Sequence, residues 1–288
     1  MKVIFAGCGF LGEAAADLFS GLGWEVLALC ASRESADRLK HKPFEVLAGD
    51  IATTPGFSGA WSSPDLLVHC ASSGRGGGVD AYQRVYVQGM RQLLAATNPH
   101  HVLFVGSTSV YGQTDGSFVD ETSPAAPAVE TGQILLEAES LALAAGGCVL
   151  RLSGIYGPGR SVLLRKYRDG TATLDGDGTR WVNQVHRDDA ARAILHAGTK
   201  KLSGIFNVSD DTPAQQREVY SWIASPWNGP LPPATERPGI RKRGSTNKRV
   251  SNAKLKATGW QPSYPCYKDA LPGLVLTTGI PASPENRK

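Results

Sequence analysis

The chain opens with Lys2-Val3-Ile4-Phe5-Ala6-Gly7-Cys8-Gly9-Phe10-Leu11-Gly12, an apolar run that leads directly into a glycine-rich turn. Residues 13–22 then carry apolar side chains at helical spacing, and residues 25–30 form a second apolar run of strand type. Strand, Gly-x-Gly-x-x-Gly, helix and strand is the context in which this motif binds a dinucleotide. The opening stretch therefore predicts a βαβ unit around which the rest of the chain is arranged.

Each of the three glycines has its own predicted role. Gly7 permits the tight turn, Gly9 lets the backbone approach a pyrophosphate, and Gly12 lets the helix lie close to the strand. The N-terminus of that helix offers N–H groups and the positive end of its dipole to the phosphates. We therefore expect cofactor contacts from Gly7, Gly9, Phe10, Leu11 and Gly12.

The end of the second strand bears on the choice of cofactor. A carboxylate there accepts hydrogen bonds from the adenosine ribose and repels a 2′-phosphate. This chain instead has Ser32 and Arg33, with no acid before Glu34. A hydroxyl and a guanidinium suit a phosphate, so the sequence favours NADP over NAD. The alternative is that Ser32 caps the next helix and Arg33 is a solvated residue of its first turn.

Strand-type runs continue to alternate with helical segments, which predicts an α/β fold with a Rossmann-type doubly wound parallel sheet. Ligands of such sheets bind at the carboxyl ends of the strands. Further cofactor contacts are therefore predicted where the next two strands end, at Asp50, Ile51, Ala71 and Ser72.

Composition limits the class of protein. The chain has 288 residues, of which 41% are hydrophobic and 19% are charged, the balance of a globular protein. A formal net charge of +4 is too small to indicate a nucleic-acid partner, and no long apolar run predicts a membrane span. Five scattered cysteines lack metal-ligand spacing, and no signal peptide is visible, so we expect a cytoplasmic protein without a metal site.

Later motifs resemble one known family. They are Ser107-Thr108-Ser109-Val110-Tyr111-Gly112, Arg151 with Tyr156-Gly157-Pro158-Gly159, Val185-His186-Arg187-Asp188-Asp189-Ala190, and Ala257-Thr258-Gly259-Trp260-Gln261-Pro262. In this order they resemble the extended short-chain dehydrogenase/reductase superfamily, the NAD-dependent epimerase/dehydratase family. The resemblance implies an NAD(P)-binding Rossmann domain over residues 1–155, to which residues 183–212 return. It assigns residues 156–182 and 213–288 to a smaller substrate-binding part.

The proton relay of that family is absent from this sequence. The resemblance places Tyr-x-x-x-Lys on the helix after the fifth strand, where the lysine lowers the pKa of the tyrosine. Here Thr131 stands at the tyrosine position and Leu135 at the lysine position, while Tyr86 stands where the family often has an asparagine. The pattern is similar to an atypical branch that keeps the fold and the dinucleotide loop without the relay.

By the same resemblance we expect Ser107 and Tyr111 to be catalytic. Substrate contacts are expected from Thr108, Ser109, Thr131, Gln133, Tyr156 and His186. A serine hydroxyl can orient a carbonyl, but its pKa is too high for it to act as an acid near pH 7. The candidates for the missing proton donor are Tyr86, Tyr111, Tyr156 and His186, each of which also has a purely structural explanation.

Three functions remain open at this point, because a fold does not decide a function. The first is an NADP-dependent oxidoreductase that acts on a small or nucleotide-linked carbonyl- or imine-type substrate. The second is a dinucleotide-binding sensor without catalysis. The third is a nucleotide-sugar epimerase or dehydratase, against which the missing tyrosine and lysine count.

The expected partner is a small-molecule substrate, with no nucleic acid and no membrane. Residues 237–256 hold eight Lys or Arg and no acid, which predicts either a solvated surface or a wall that attracts an anionic substrate. The resemblance also implies a homodimer, since helices such as those predicted over residues 79–97 and 126–145 form four-helix seams in relatives.

Overall fold

The computed structural model describes residues 1–53, 61–74, 77–236 and 246–270. Its strands are β1 (Lys2–Ala6), β2 (Glu25–Cys30), β3 (Glu45–Ala48), β4 (Leu66–His69), β5 (Val102–Ser107), β6 (Phe118–Val119), β7 (Cys148–Leu152), β8 (Gly154–Tyr156), β9 (Leu174–Asp175), β10 (Trp181–Val182), β11 (Gln184–His186), β12 (Gly204–Val208), β13 (Ala214–Gln215), β14 (Ala234–Thr235) and β15 (Arg249–Val250). Its α-helices are α1 (Phe10–Gly21), α2 (Arg33–Asp37), α3 (Val79–Tyr82), α4 (Gly89–Ala96), α5 (Glu130–Ala144), α6 (Val162–Arg168), α7 (Arg187–Thr199), α8 (Gln216–Ala224) and α9 (Ala253–Ala257).

Seven strands form one parallel sheet in the order β12-β7-β5-β4-β1-β2-β3. In its centre Ile4 of β1 pairs with Leu27 of β2 on one side and Leu67 of β4 on the other. The strand order reverses between β1 and β4, and ligands of such sheets bind in the crevice outside the carboxyl ends at this point. The predicted Rossmann-type doubly wound parallel sheet is thus confirmed.

The strands of the sheet are nearly continuous apolar runs, without alternating polar residues, because both faces of the sheet are buried. Along β1, Val3 and Phe5 belong to a cluster that includes Phe19 of α1 and the alanines of α7. Ile4, on the opposite face, belongs to a second cluster with Leu93 of α4. Helices therefore cover the sheet on both sides and leave its carboxyl edge for ligands.

The helix predicted over residues 79–97 has an unpredicted interruption. A π-helical turn, Gln83–Gln88, joins α3 to α4. Such turns are rare and frequently mark functional sites. A Cβ on Gly89, the residue that follows the turn, would lie 2.7 Å from Cδ1 of Ile51. A methyl group at position 89 would therefore require the Ile51 side chain to shift.

The helix predicted from Ala126 begins later, at Glu130. A proline disfavours the helical conformation in the residue before it, and Pro127 follows Ala126. The carbonyl oxygen of Ala126 also lies so near Gly112 that a Cβ there would be 2.2 Å away. The segment before α5 is therefore packed closely against the loop that follows β5.

A third apolar cluster lies apart from the sheet. It joins α6 and α8 to the end of the described chain through Leu164, Val219, Ile223 and Tyr267. Strand β12 meanwhile pairs with β7 at the edge of the sheet. The division of the chain into a Rossmann domain and a substrate-binding part stays a prediction, and residues 237–245 and 271–288 of the latter lie outside the described residues.

Candidate cofactor and substrate site

The glycine-rich loop follows β1 at the carboxyl edge of the sheet. Gly7 has a φ of +100°, and a Cβ there would lie 2.3 Å from Cα of Ala71, which Ser72 follows after the end of β4. A Cβ on Gly12 would lie 2.3 Å from the carbonyl oxygen of Gly7, whereas one on Gly9 meets nothing within 4 Å. Gly7 and Gly12 thus close the loop against the protein, and Gly9 leaves bare backbone that a phosphate can approach.

Two arginines lie beside the first residue of α1. Gly9, which precedes the helix, gives its first turn no side-chain hydrogen bond. That end of the helix is therefore available to an anion. The guanidinium carbons of Arg160 and Arg187 lie 5.0 and 5.3 Å from the centre of the Phe10 ring. These arginines lie far from the loop in sequence, and no local signal connected them with it.

The link from β2 to α2 contains the predicted 2′-phosphate contacts. Oγ of Ser32 accepts a hydrogen bond from the N–H of Ser35 at 3.2 Å and so caps α2. Oγ of Ser35 accepts one from Nη2 of Arg38 at 3.3 Å, and Arg33 is exposed in the first turn. Two hydroxyls and the Arg38 guanidinium therefore meet beyond β2, and Arg33 lies in the same short helix. Sequence reasoning missed Ser35 and Arg38, which join Ser32 only through the helix.

The loop after β3 joins the sheet to the helix that contains the π-helical turn. Asp50 accepts hydrogen bonds from the N–H of Ala52 at 2.9 Å and from Nε of Arg84 at 3.1 Å. The Ala52 N–H and the Arg84 guanidinium hold the pKa of Asp50 below its ordinary value. Ile51 packs on Gly89 beside this ion pair. The cofactor contacts predicted for Asp50 and Ile51 stay predictions, but their placement fits the carboxyl edge.

Three cysteines gather around the glycine-rich loop. Sγ of Cys70 donates a hydrogen bond to the carbonyl of Gly7 at 3.0 Å, and Sγ of Cys30 lies 3.8 Å from the carbonyl of Cys8. Burial raises the pKa of all three thiols, to about 12 for Cys70. Thiols with raised pKa values are poor nucleophiles. They therefore act as packing groups behind the loop.

A cavity of about 270 Å³, part of it open to solvent, lies at the carboxyl end of β5. Its walls are formed by Tyr82, Tyr86, Val105, Gly106, Ser107, Ser109 and Leu135. Oγ of Ser107 accepts the N–H of Ser109 at 3.1 Å, which fixes the serine oxygen and leaves its own proton for donation. Leu135 contributes an apolar wall at the position where the resemblance places a lysine.

Tyr111 lies in the core instead of at this cavity. Its ring is fully buried, its hydroxyl donates to Oδ1 of Asn207 at 2.9 Å, and the guanidinium of Arg151 lies 4.9 Å from the ring centre. Burial raises the pKa of this phenol. Thr108 is also buried, with Oγ1 3.4 Å from the carbonyl of Leu152. The catalytic role expected of Tyr111 and the substrate contact expected of Thr108 stay predictions, and the observed contacts give both residues a part in holding the loop after β5.

Tyr156 and His186 pack against each other beside α7. Their ring centres are 5.4 Å apart, and the ring of Tyr264 lies 4.0 Å from that of His186. Nδ1 of His186 accepts the N–H of Asp188 at 3.3 Å and so caps α7. Burial lowers the pKa of His186 and raises that of Tyr156. The substrate contacts predicted for this pair stay predictions, and the observed geometry is that of a packing cluster.

Two further predicted substrate contacts lie in the first turn of α5. Thr131 is buried, whereas Gln133 is exposed and its Nε2 donates to the carbonyl of Pro127 at 3.1 Å. Gln133 therefore fastens the helix to the segment before it. The substrate roles of both residues stay predictions.

The described part of the basic stretch includes a buried lysine. Nζ of Lys248 donates to the carbonyl of Tyr111 at 3.1 Å and to Oγ1 of Thr246 at 2.7 Å. Burial lowers the pKa of Lys248 to about 8. Residues 237–245 lie outside the described residues, so a wall that attracts anionic substrates stays a prediction.

Across the ranges that the structure covers, no group of three or more His, Cys, Asp or Glu side chains is arranged to hold a metal ion. None of the helices within those ranges has both the length and the apolar character needed to cross a bilayer.

Comparison with known proteins identifies the family. The sequence model of the NAD dependent epimerase/dehydratase family matches residues 3–209. This span includes the glycine-rich loop, the helix with the π-helical turn and the Ser107 cavity. The chain belongs to the NAD-dependent epimerase/dehydratase family.

Several relatives of this family member are similar over most of its length. Protein YeeZ of Escherichia coli (strain K12) is 30% identical over 234 residues, 77% of this chain and 82% of YeeZ. The 2-alkyl-3-oxoalkanoate reductase of Stenotrophomonas maltophilia (strain K279a) is 27% identical over 258 residues, 80% and 77% of the two chains. The structure of MoeE5 in complex with UDP-glucose and NAD has a TM-score of 0.80 at 21% identity, with 96% and 98% of the chains covered. The likeness to MoeE5 is one of fold.

Proposed function

We propose that this family member is an NADP-dependent oxidoreductase that acts on a small carbonyl- or imine-type substrate. The proposal rests mainly on one observation: the glycine-rich loop and the Ser107 cavity lie at the same edge of the sheet, after β1 and β5. Only β4 separates these strands, a distance of about 10 Å at the usual strand spacing. A dinucleotide with its pyrophosphate on the loop can span that distance.

The residues of this chain would bind and orient the reactants. The backbone at Gly9 and the N-terminus of α1 suit the diphosphate, and the Ser107 hydroxyl suits an oxygen of the substrate. Leu135 contributes an apolar wall to the cavity. The bound cofactor supplies the hydride chemistry itself.

The groups beyond β2 support a preference for NADP. Ser32, Ser35 and Arg38 form one hydrogen-bonded group of hydroxyl and guanidinium donors, and the exposed Arg33 lies in the same short helix. Arginine binds phosphate through charge-assisted hydrogen bonds, whereas these groups have no comparable partner in NAD. We therefore expect both coenzymes to fit the loop and NADPH to bind more tightly.

Two observations favour a neutral carbonyl over a sugar hydroxyl as the reacting group. The similarity to 2-alkyl-3-oxoalkanoate reductase supports carbonyl reduction. The cavity has hydroxyl, phenol and apolar walls, with Leu135 where a lysine would carry charge. An epimerase must remove a proton from a sugar hydroxyl, and the loss of the tyrosine–lysine relay counts against that reaction. An imine that already carries positive charge would need little acid catalysis.

Titration with NADPH and NADH, followed by the fluorescence of the nicotinamide, tests the cofactor proposal. A panel of ketones, aldehydes and imines then tests for turnover, with Gly9→Val as the variant that should abolish it. Tight binding without turnover anywhere in the panel would favour the sensor. Epimerisation at C4 of UDP-glucose without net cofactor reduction would favour the epimerase.

A further inference from the structure

We propose that Tyr86 replaces the missing relay and donates the proton to the carbonyl oxygen of the substrate. This inference rests on the proposed function, because it requires a hydride donor and a neutral carbonyl. It goes beyond that function by naming the acid. No residue of the Tyr-x-x-x-Lys position is involved.

The cavity brings Tyr86 together with Ser107. Both residues line it, and Leu135 lies in the same wall. In the family pattern the side chains at positions 131 and 135 would supply the acid and its charged support, but here they are Thr131 and Leu135. Tyr86 is thus a phenol at the site from which a phenol and an ammonium group have been lost.

The fold holds Tyr86 rigidly. Its ring centre lies 6.2 Å from that of His69 on β4, 6.3 Å from that of Phe104 on β5 and 5.0 Å from that of Tyr82. Tyr86 is 7% exposed. A proton donor that is fixed in this way needs little reorganisation during the reaction.

Backbone geometry also singles out this residue. Tyr86 belongs to the π-helical turn, which changes the direction of its side chain relative to a regular α-helix. The close contact between Gly89 and Ile51 fixes the end of the turn. Asp50 and Arg84 form an ion pair across the same loop and helix. The turn is therefore anchored on both sides of Tyr86.

Two of the other candidate donors make structural contacts away from the cavity. The hydroxyl of Tyr111 donates to Asn207, and His186 caps α7 while it packs on Tyr156. Tyr82 shares the cavity, but Tyr86 is the one whose ring contacts the rings of both β4 and β5. Tyr82 is therefore the competing candidate against which Tyr86 is tested.

The proposed step balances as follows. The carbonyl carbon accepts a hydride with its electron pair from NADPH, and the carbonyl π pair moves to the oxygen, which takes the proton of the Tyr86 phenol. The products are an alcohol, NADP⁺ and a Tyr86 phenolate, which recovers a proton from water. Ser107 donates a hydrogen bond to the same oxygen throughout. A phenol, with an ordinary pKa near 10, is a far better acid than a serine hydroxyl.

Kinetics of Tyr86→Phe and Tyr82→Phe test this assignment with the neutral carbonyl that the wild type reduces fastest. We expect Tyr86→Phe to lower kcat about 100-fold or more, the usual contribution of general acid catalysis. The affinity of this variant for NADPH should match that of the wild type. The wild-type rate should decline at alkaline pH, where a phenol loses the proton that it donates, and this decline should be absent from Tyr86→Phe. Tyr82→Phe, which changes another wall of the same cavity, should lower kcat much less than Tyr86→Phe does. A Tyr86→Phe enzyme with wild-type kcat, or a larger loss in Tyr82→Phe, would overturn the proposal.

A crystal structure with NADP⁺ gives a readout that does not depend on activity. The phenol oxygen of Tyr86 should lie within about 6 Å of C4 of the nicotinamide, one reacting contact plus one hydrogen bond. A longer distance would overturn the role of Tyr86 and leave the proposed function standing. If the wild type binds neither coenzyme, the proposed function fails and this inference fails with it.

Discussion

Glu139 of α5 and Arg151 of β7 form a bidentate ion pair inside the core. Nη2 of Arg151 lies 2.7 Å from Oε2 of Glu139, and Nε lies 3.0 Å from Oε1. Glu139 is 2% exposed and Arg151 3%. A Cβ on Gly106 would lie 3.2 Å from Oε1, so the pair sits directly behind the strand that ends in Ser107. Burial raises the pKa of Glu139, and the guanidinium opposes that shift.

Removal of one partner should be strongly destabilising. Glu139→Ala leaves the Arg151 guanidinium buried without its counter-ion, which costs about 3–5 kcal/mol. Glu137→Ala on the same helix is the control, because its ion pair with Arg91 is exposed and worth at most about 1 kcal/mol. Urea unfolding measures both. If Glu139→Ala loses no more free energy of unfolding than Glu137→Ala does, Arg151 finds water or another acceptor in the Glu139→Ala variant.

This pair also illustrates what the sequence could and could not predict. The unit β1-α1-β2 follows from Gly7, Gly9 and Gly12 between apolar runs, because those signals are local. The partner of Arg151 is twelve positions away on another element, so no local signal in the sequence indicated this ion pair. The π-helical turn around Tyr86 depends on tertiary contacts, and no residue pattern in the sequence predicted it.

Substitution of Gly7 should mainly lower the stability of the protein, whereas substitution of Gly9 should mainly weaken cofactor binding. Gly7→Ala combines a φ of +100° with a Cβ 2.3 Å from the backbone of Ala71, so we expect a loss of about 2 kcal/mol or more. Gly9→Ala meets nothing within 4 Å and should fold normally, but its methyl group occupies the space that a phosphate approaches. Thermal unfolding and NADPH titration measure the two effects. Unchanged NADPH affinity in Gly9→Ala would refute the role of the loop.

The groups beyond β2 should determine which coenzyme binds. Arg33→Ala and Arg38→Ala should each weaken NADPH about tenfold, because each removes a charged phosphate donor, and should leave NADH nearly unchanged. Lys40→Ala is the control, since it removes one positive charge nearby in an exposed ion pair with Asp37. Fluorescence titration with both coenzymes gives the ratio. An equal loss for NADPH and NADH in the arginine variants would contradict a 2′-phosphate site.

His69 should make the stability of the protein depend on pH in the acid range. The residue is fully buried on β4, and its Nε2 lies 3.0 Å from the carbonyl of Val85. Nε2–H therefore donates to that carbonyl, and Nδ1 has no hydrogen-bond partner among the residues that the structure describes. Protonation of Nδ1 would bury an uncompensated charge. Burial accordingly lowers the pKa of His69 to about 4.

The sign of the pH effect follows from this depressed pKa. Between the ordinary pKa of about 6.5 and the lowered pKa of about 4, the unfolded chain binds a proton at His69 that the folded chain does not. The free energy of unfolding therefore decreases as the pH is lowered through this range. The full contribution, present above pH 6.5, is about 3 kcal/mol and is lost by about pH 4. In His69→Gln that part of the slope should vanish, whatever the variant's stability at pH 7. Urea unfolding at several pH values between 7 and 4 measures the difference, and parallel curves for the two proteins would show that His69 does not titrate in this range.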